Sequence, residues 1–169
     1  MKKKHCTTYY LLAIGFSFVR SLTTCYLLLA TCFLSSCALP RIIVLDDPLT
    51  PQEHINLGLT YEKKGESDHA IEEYQKAAGK LPDAYLYLGN IYMQMNKPGE
   101  AETSYRKAIE KAPSLADAYN NLAWLYYTRN HNLDEAERLA SKAVELNPSK
   151  AEYTDTLNKI RELKAKNKV

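Results

Sequence analysis

The residues that could do chemistry are few, and most stand apart from one another. Beyond residue 50 there are three histidines, His54, His69 and His131. None pairs with a cysteine or a second histidine at metal-ligand spacing, so no metal centre is expected. The four cysteines, Cys6, Cys25, Cys32 and Cys37, all fall within the first 37 residues, which leaves the rest of the chain without a disulfide or a nucleophilic thiol. There is no G-x-S-x-G and no phosphate-binding glycine loop. The acid pairs Asp46-Asp47 and Asp134-Glu135 fall on an irregular stretch and a helix start, where solvation and capping account for them. No enzyme constellation emerges. What remains is recognition chemistry: asparagine and glutamine interleaved with aromatic residues. Amides can bond a peptide backbone, and rings can cover its apolar side chains.

Charge and hydropathy divide the chain. Hydrophobic residues make up 46% and charged residues 25%, enough for a packed fold. The net charge is +2, yet residues 1–36 hold Lys2, Lys3, Lys4 and Arg20 and no acid, so the remainder carries −2. A weakly acidic body of mixed charge offers no footprint for nucleic acid. An apolar run from Leu22 to Leu34 follows Arg20; its length suits a signal-peptide core better than a bilayer span. Tyr9 to Leu34 could alternatively remain as an uncleaved membrane helix. A start at Val19 would make the leader compact. The run ends in Leu34-Ser35-Ser36-Cys37, a leucine and two small residues before a cysteine. This resembles the lipobox of bacterial lipoproteins. The resemblance implies a signal peptide over 1–36, cleavage before Cys37 and acylation (palmitate among the chains) of that cysteine. Two or more acyl chains hold a membrane stably, at about 0.8 kcal/mol per buried methylene. Ala38, rather than aspartate, follows the cysteine, which by the enterobacterial rule implies the periplasmic face of the outer membrane; the inner membrane is the alternative. A covalent lipid is the only non-protein group expected.

Residues 37–49 read as the lipidated cysteine and a tether that reaches at most about 40 Å when extended. Ile42-Ile43-Val44-Leu45 within it could instead lie along the first helix. Beyond it a pattern recurs three times: Leu57, Gly58, Tyr61, Ala70, Tyr74, Ala77, Pro82; then Leu88, Gly89, Tyr92, Ala101, Tyr105, Ala108, Pro113; then Leu122, Ala123, Tyr126, Ala136, Ala140, Ala143, Pro148. Small residues let paired helices approach closely, and the prolines end each second helix. The spacing predicts helices at 51–64, 67–78, 83–95, 98–111, 115–129, 133–146 and 150–166. Capping pairs are read at Thr50 with Glu53, Ser114 with Asp117, Asn132 with Glu135 and Ser149 with Glu152. The first two copies are 31 residues apart and the next two 34. The deficit predicts that the second helix stops a turn early, at a left-handed cap on Gly79, with Pro82 opening the next helix.

Tyr85-x₂-Leu88-Gly89-x₂-Tyr92 with Ala101-x₃-Tyr105, and Tyr119-x₂-Leu122-Ala123-x₂-Tyr126, resemble the tetratricopeptide repeat. His54 and Ala140 depart from its aromatic positions; a packing role is expected for His54. The resemblance implies an all-α fold, a right-handed superhelix of three hairpins (about 51–81, 82–115 and 116–150) with a capping helix at 151–166 inside a domain of 50–169. It also implies a concave groove lined by the first helix of each repeat. The faces opposite the packing residues offer Gln52, Asn56, Leu59 and Lys63, then Asp83, Tyr87, Asn90 and Gln94, then Asp117, Asn120, Asn121, Trp124 and Tyr127. The alternative for Trp124 is packing under the neighbouring helix or the tether.

The functional expectation is therefore a membrane-anchored, non-catalytic adaptor or scaffold in the bacterial cell envelope, with a protein or peptide partner in the groove. No nucleic acid and no small-molecule substrate is expected. Ile55, Leu59 and Asp117 stand where carboxylate-gripping relatives place polar or basic groups, so a neutral or mildly basic segment is the expected occupant. The alternatives are an accessory subunit of an envelope peptidase or cell-wall hydrolase, and self-assembly.

Overall fold

Helical periodicity, proline starts and left-handed turn residues together produce seven helices among the described residues, 47–167 of a computed structural model. They are α1 (Pro51–Lys63), α2 (Ser67–Ala78), α3 (Asp83–Gln94), α4 (Pro98–Lys111), α5 (Ala116–Thr128), α6 (Leu133–Leu146) and α7 (Ala151–Lys166). The leader, Cys37, Ile42–Leu45 and the tether up to Asp46 lie outside the described residues. Every expected helix is present, with ends within a residue of the expectation. Consecutive helices pack as antiparallel hairpins, α1 on α2, α3 on α4 and α5 on α6, and α7 covers α6 and α5. This is the all-helical superhelix of three hairpins and a cap.

Each hairpin turns in the same way. Gly65, Asn96 and Asn130 adopt φ of 77°, 56° and 47°, each one residue past a first-helix cap. The next N–H then reaches back to a tyrosine carbonyl: Glu66 to Tyr61 at 2.9 Å, Lys97 to Tyr92 at 2.8 Å and His131 to Tyr126 at 3.0 Å. These are Schellman closures, in which a left-handed residue lets the chain satisfy a carbonyl left open by the helix end. Glycine and asparagine stand there because they tolerate the left-handed region best.

The close approach of the hairpin helices has an equally specific cause. A Cβ on Gly58 would lie 2.5 Å from Cε1 of Tyr74, and one on Gly89 would lie 2.2 Å from Cε1 of Tyr105. In both repeats the ring occupies the space the glycine leaves. The third repeat has Ala123 and Ala140 instead, both fully buried. The missing ring is thus matched by the added methyl, which explains the departure at Ala140.

Four corrections concern helix ends. Thr50 and Glu53 form the expected reciprocal box, with Glu53 N–H on Thr50 Oγ1 at 3.3 Å and Thr50 N–H on Glu53 Oε2 at 2.7 Å. The other three pairs do not cap. Leu115 precedes α5, and Asp117 accepts from Lys150 and Tyr153 across the fold. Asn132 stands at the start of α6 with φ 47° and no side-chain bond, while Glu135 pairs with Arg138. Lys150 precedes α7, and Ser149 donates to Asn147 Oδ1 at 2.7 Å. Gly79 is the fourth correction: it is right-handed, with φ −67°. The N–H groups of Lys80 and Leu81 both reach Ala77 O at 3.0 Å, so the chain tightens without a left-handed residue. The early stop itself is present: α2 has 12 residues against 14 in α4 and α6, and Pro82 precedes α3.

His54 packs, as expected of its repeat position, but with polar partners. It is buried, its Nδ1 lies 2.6 Å from Glu73 Oε2, and its Nε2 lies 3.3 Å from Asp47 Oδ2. Burial would raise the Glu73 carboxyl, but the bonds to Lys76 and His54 outweigh it and hold Glu73 below its ordinary value.

Candidate functional site: the face of the first helices

The face on which the groove residues fall is built by α1, α3 and α5, with α3 against α5 and α5 against α7. Its framework is a set of buried tyrosines, each giving its hydroxyl to this layer of helices. Tyr74 donates to Glu62 at 2.8 Å, Tyr105 to Asn90 at 2.9 Å and Tyr153 to Asp117 at 2.7 Å. Burial foremost, and Glu62 beside it, push the Tyr74 phenol well above the ordinary range; burial does the same to Tyr105.

The middle of the face is a ladder of amides. Asn90 Oδ1 accepts from Tyr105 and also from Asn121 Nδ2 at 2.9 Å, tying α3 to α5. Asn120 Nδ2 makes only a long contact, 3.4 Å, to Asn121 Oδ1. Asn120 Oδ1 is buried and has no hydrogen-bond partner. An acceptor in that state carries a desolvation cost. Below the ladder, Gln94 donates to Glu62 at 2.6 Å, which locks α3 to α1. Tyr87 is half-buried and stacks on Tyr74, with ring centres 5.3 Å apart. Asn56 is exposed and receives a 3.4 Å contact from Gln52, while Leu59 is half-buried against the first-repeat core.

Trp124 stands at the other end and is 37% exposed, so it does not pack under a neighbouring helix; the tether, its other possible cover, lies outside the described residues. Tyr127 lies beside it, ring centres 5.1 Å apart. Lys159 of α7 places its ammonium 5.3 Å from the Trp124 ring centre while bonding Asp155 at 2.6 Å. Lys159 was not among the residues expected on this face. The signal was available: Trp124 follows Asn90 by 34 residues and Lys159 follows Trp124 by 35, so α7 continues the register as a further first helix. At the same end Lys150 bonds Asp117 at 2.6 Å. Burial would raise Asp117, but Lys150 and Tyr153 overcome it and hold the carboxyl below its usual range.

The arrangement joins Asn90, Asn120, Asn121, Trp124 and Tyr127 into one continuous surface of amides and rings. Asn56 and Leu59 flank it from α1. Charges at the α7 end neutralise one another in pairs, Asp117 with Lys150 and Asp155 with Lys159. Among the described residues no group of histidine, cysteine and acid side chains could hold a metal ion, and no helix is long and apolar enough to cross a membrane.

Two tetratricopeptide repeat profiles match the chain, over residues 54–79 and 86–151. Among known proteins it is 31% identical over 101 residues to human Protein O-mannosyl-transferase TMTC2, covering 56% of this chain and 12% of that one. It is 30% identical over 127 residues to the Protein STIP1 homolog of Dictyostelium discoideum, covering 69% of this chain and 22% of that one. The chain therefore spans a small part of the relatives it matches. Among solved structures, the first TPR of Spaghetti (RPAP3) bound to HSP90 peptide SRMEEVD superposes with a TM-score of 0.64 at 25% identity, covering 70% of this chain and 96% of that one.

Proposed function

The chain belongs to the tetratricopeptide repeat family, and from that premise we propose that it is a non-catalytic adaptor, lipid-anchored in the bacterial envelope, whose first-helix face holds a segment of a partner protein. One observation carries the reading: exposed Trp124, with half-buried Tyr127 beside it, lies on the same face as the amide ladder of Asn90 and Asn121. Rings cover an apolar side chain, and amides bond the backbone next to it. The neighbouring RPAP3 repeat domain is bound to a peptide, which supports the same use of the surface here. The transferase name of TMTC2 is not carried over, because the match spans 12% of that protein.

The occupant differs from the RPAP3 peptide in charge. Asp83 and Lys63 on this face are both exposed and without a partner among the described residues, so they balance, and Lys150 and Lys159 are already paired. A neutral or mildly basic internal segment suits such a face; an acidic tail with a free carboxylate does not. The anchor rests on Leu34-Ser35-Ser36-Cys37, and the outer membrane, periplasmic side, is its proposed location.

Trp124 is the single tryptophan and so a built-in reporter. Titration of the full chain with a capped, mildly basic apolar peptide should shift its emission, and SRMEEVD should not. A response to SRMEEVD alone would reverse the assignment of charge. Silence toward both would count against the face as a peptide site. Separately, Cys37→Ser should accumulate as an unprocessed, unlipidated precursor; normal maturation would remove the anchor from the proposal.

A further inference from the structure

A cavity opens between the second helices α2 and α4. It measures about 450 Å³. Gln75 and Ala78 of α2 form one wall, Tyr85, Leu88 and Tyr92 of α3 the floor, and α4 from Gly99 to Lys107 the other wall.

The next junction shows what fills such a space. Aligned on Ala70, Ala101 and Ala136, Gln75 corresponds to Arg106 and Ala78 to Ile109. On the opposite wall Thr103 corresponds to Arg138 and Ser104 to Leu139. Each replacement at the second junction is larger. There Arg106 Nη2 donates to the Tyr126 hydroxyl at 2.6 Å, with its guanidinium carbon 6.0 Å from the ring centre, and that hydroxyl donates to Glu102 at 2.6 Å. Arg138 pairs with Glu135. The first junction lacks both arginines. Its Tyr92, in register with Tyr126, is half-buried with an unpartnered hydroxyl, and its Glu100, in register with Glu135, has an unpartnered carboxylate.

We propose that this cavity is a docking site for an arginine side chain of a protein partner. The guanidinium lies against the Tyr92 ring and donates to its hydroxyl, as Arg106 does at Tyr126, and pairs with Glu100, as Arg138 does with Glu135; Ile71 stands in register with Glu102, the acid that holds Arg106, so Glu100 is the acid available here. Arginine suits the site better than lysine because its planar fork stacks on a ring while serving two acceptors. Lys107, 5.7 Å from the Tyr85 ring centre, is the cation among the lining residues and directs the guanidinium to the Tyr92 end. The site is separate from the first-helix face and does not depend on that face binding anything.

The test is an amide NMR titration of the full chain with acetyl-Ala-Arg-Ala-amide and with its citrulline counterpart, a neutral isostere. Gly99, Glu100 and Thr103 should shift in a saturable way with the arginine peptide. The citrulline peptide should bind about tenfold more weakly or worse, the loss expected when a charged hydrogen bond becomes neutral. Gln75→Arg places a guanidinium of the chain itself in the cavity, and Thr103→Arg captures Glu100; each should suppress the response. Both substitutions recreate what the next repeat already carries. Equal response to the two peptides, persistence in both variants, shifts confined to other residues, or no response would each overturn the proposal.

Discussion

Gly89→Ala tests the packing that sets the hairpin geometry. The new methyl would stand 2.2, 2.4 and 2.8 Å from Cε1, Cδ1 and Cζ of Tyr105. Carbon atoms in contact ordinarily sit about 3.5–4.0 Å apart, so the ring must retreat by more than an ångström. It has little room: Tyr105 is 2% exposed and its hydroxyl is held by Asn90. Overpacking costs about 1–3 kcal/mol, and a weakened hydroxyl bond costs about 1 kcal/mol more. Alanine's better helix propensity returns about 1 kcal/mol. The net expectation is a loss of about 2 kcal/mol, read from urea unfolding followed by circular dichroism. The double variant separates the causes. Tyr105→Ala alone should cost about 3–5 kcal/mol through the cavity it leaves. In that background Gly89→Ala should become favourable by about 1 kcal/mol, because only propensity remains; the coupling is then about 3 kcal/mol. The third repeat already carries this alanine pair at Ala123 and Ala140. Gly79→Ala is the control, since nothing lies within 4 Å of its added Cβ and its φ is −67°; it should stabilise by about 0.5–1 kcal/mol. If Gly89→Ala proved as stable as the parent, the clash would not be governing the hairpin.

Two further predictions concern the turns and the tyrosines. Asn96→Ala or Asn130→Ala should cost about 1 kcal/mol each, and the corresponding glycine variants should equal or exceed the parent, as thermal melts would show, because both sites are left-handed. At alkaline pH the buried Tyr74, Tyr105, Tyr126 and Tyr153 all have raised pKa values, with Tyr126 pushed up to about 12 by burial and by Glu102. A raised folded pKa gives stability that is present below the unfolded value near 10 and lost as pH climbs toward the folded one. Each such group that stays protonated in the fold lowers stability by about 1.4 kcal/mol per pH unit above pH 10. Tyrosinate absorbance and loss of helix should therefore rise together between about pH 10 and 12; ionisation of these tyrosines with the helices intact would contradict the buried network.

The repeat positions were readable from sequence because short-range geometry dictates them: proline, small residues and tyrosine recur at the separations a hairpin needs. Helix ends were readable for the same reason. Capping was readable only at Thr50 with Glu53; elsewhere a serine or asparagine followed by an acid three residues on is a local pattern with distant competitors. Asp117 shows this: Lys150 and Tyr153, more than 30 residues away, take the carboxylate that local capping would have used. Gly79 misled in a similar way, since its type permits a left-handed cap but two N–H groups on Ala77 close the turn without one. Of the candidate face, Asn90, Asn121, Trp124 and Tyr127 were found by register. The amide ladder and Lys159 were not, since they depend on how side chains of successive repeats meet. The cavity at the first junction, with its unpartnered Tyr92 and Glu100, emerges only when the two junctions are compared in space.

Partner binding on the first-helix face is best tested by site-specific photo-crosslinking in cells from Asn90 and Asn121, with a probe at exposed Lys111 as the reference position. The adaptor reading predicts one dominant heterologous adduct from both asparagine sites, absent from Lys111 and lost when Trp124→Ala is added. Adducts to a second copy of the chain alone, or the same adducts from all three positions regardless of Trp124, would contradict it.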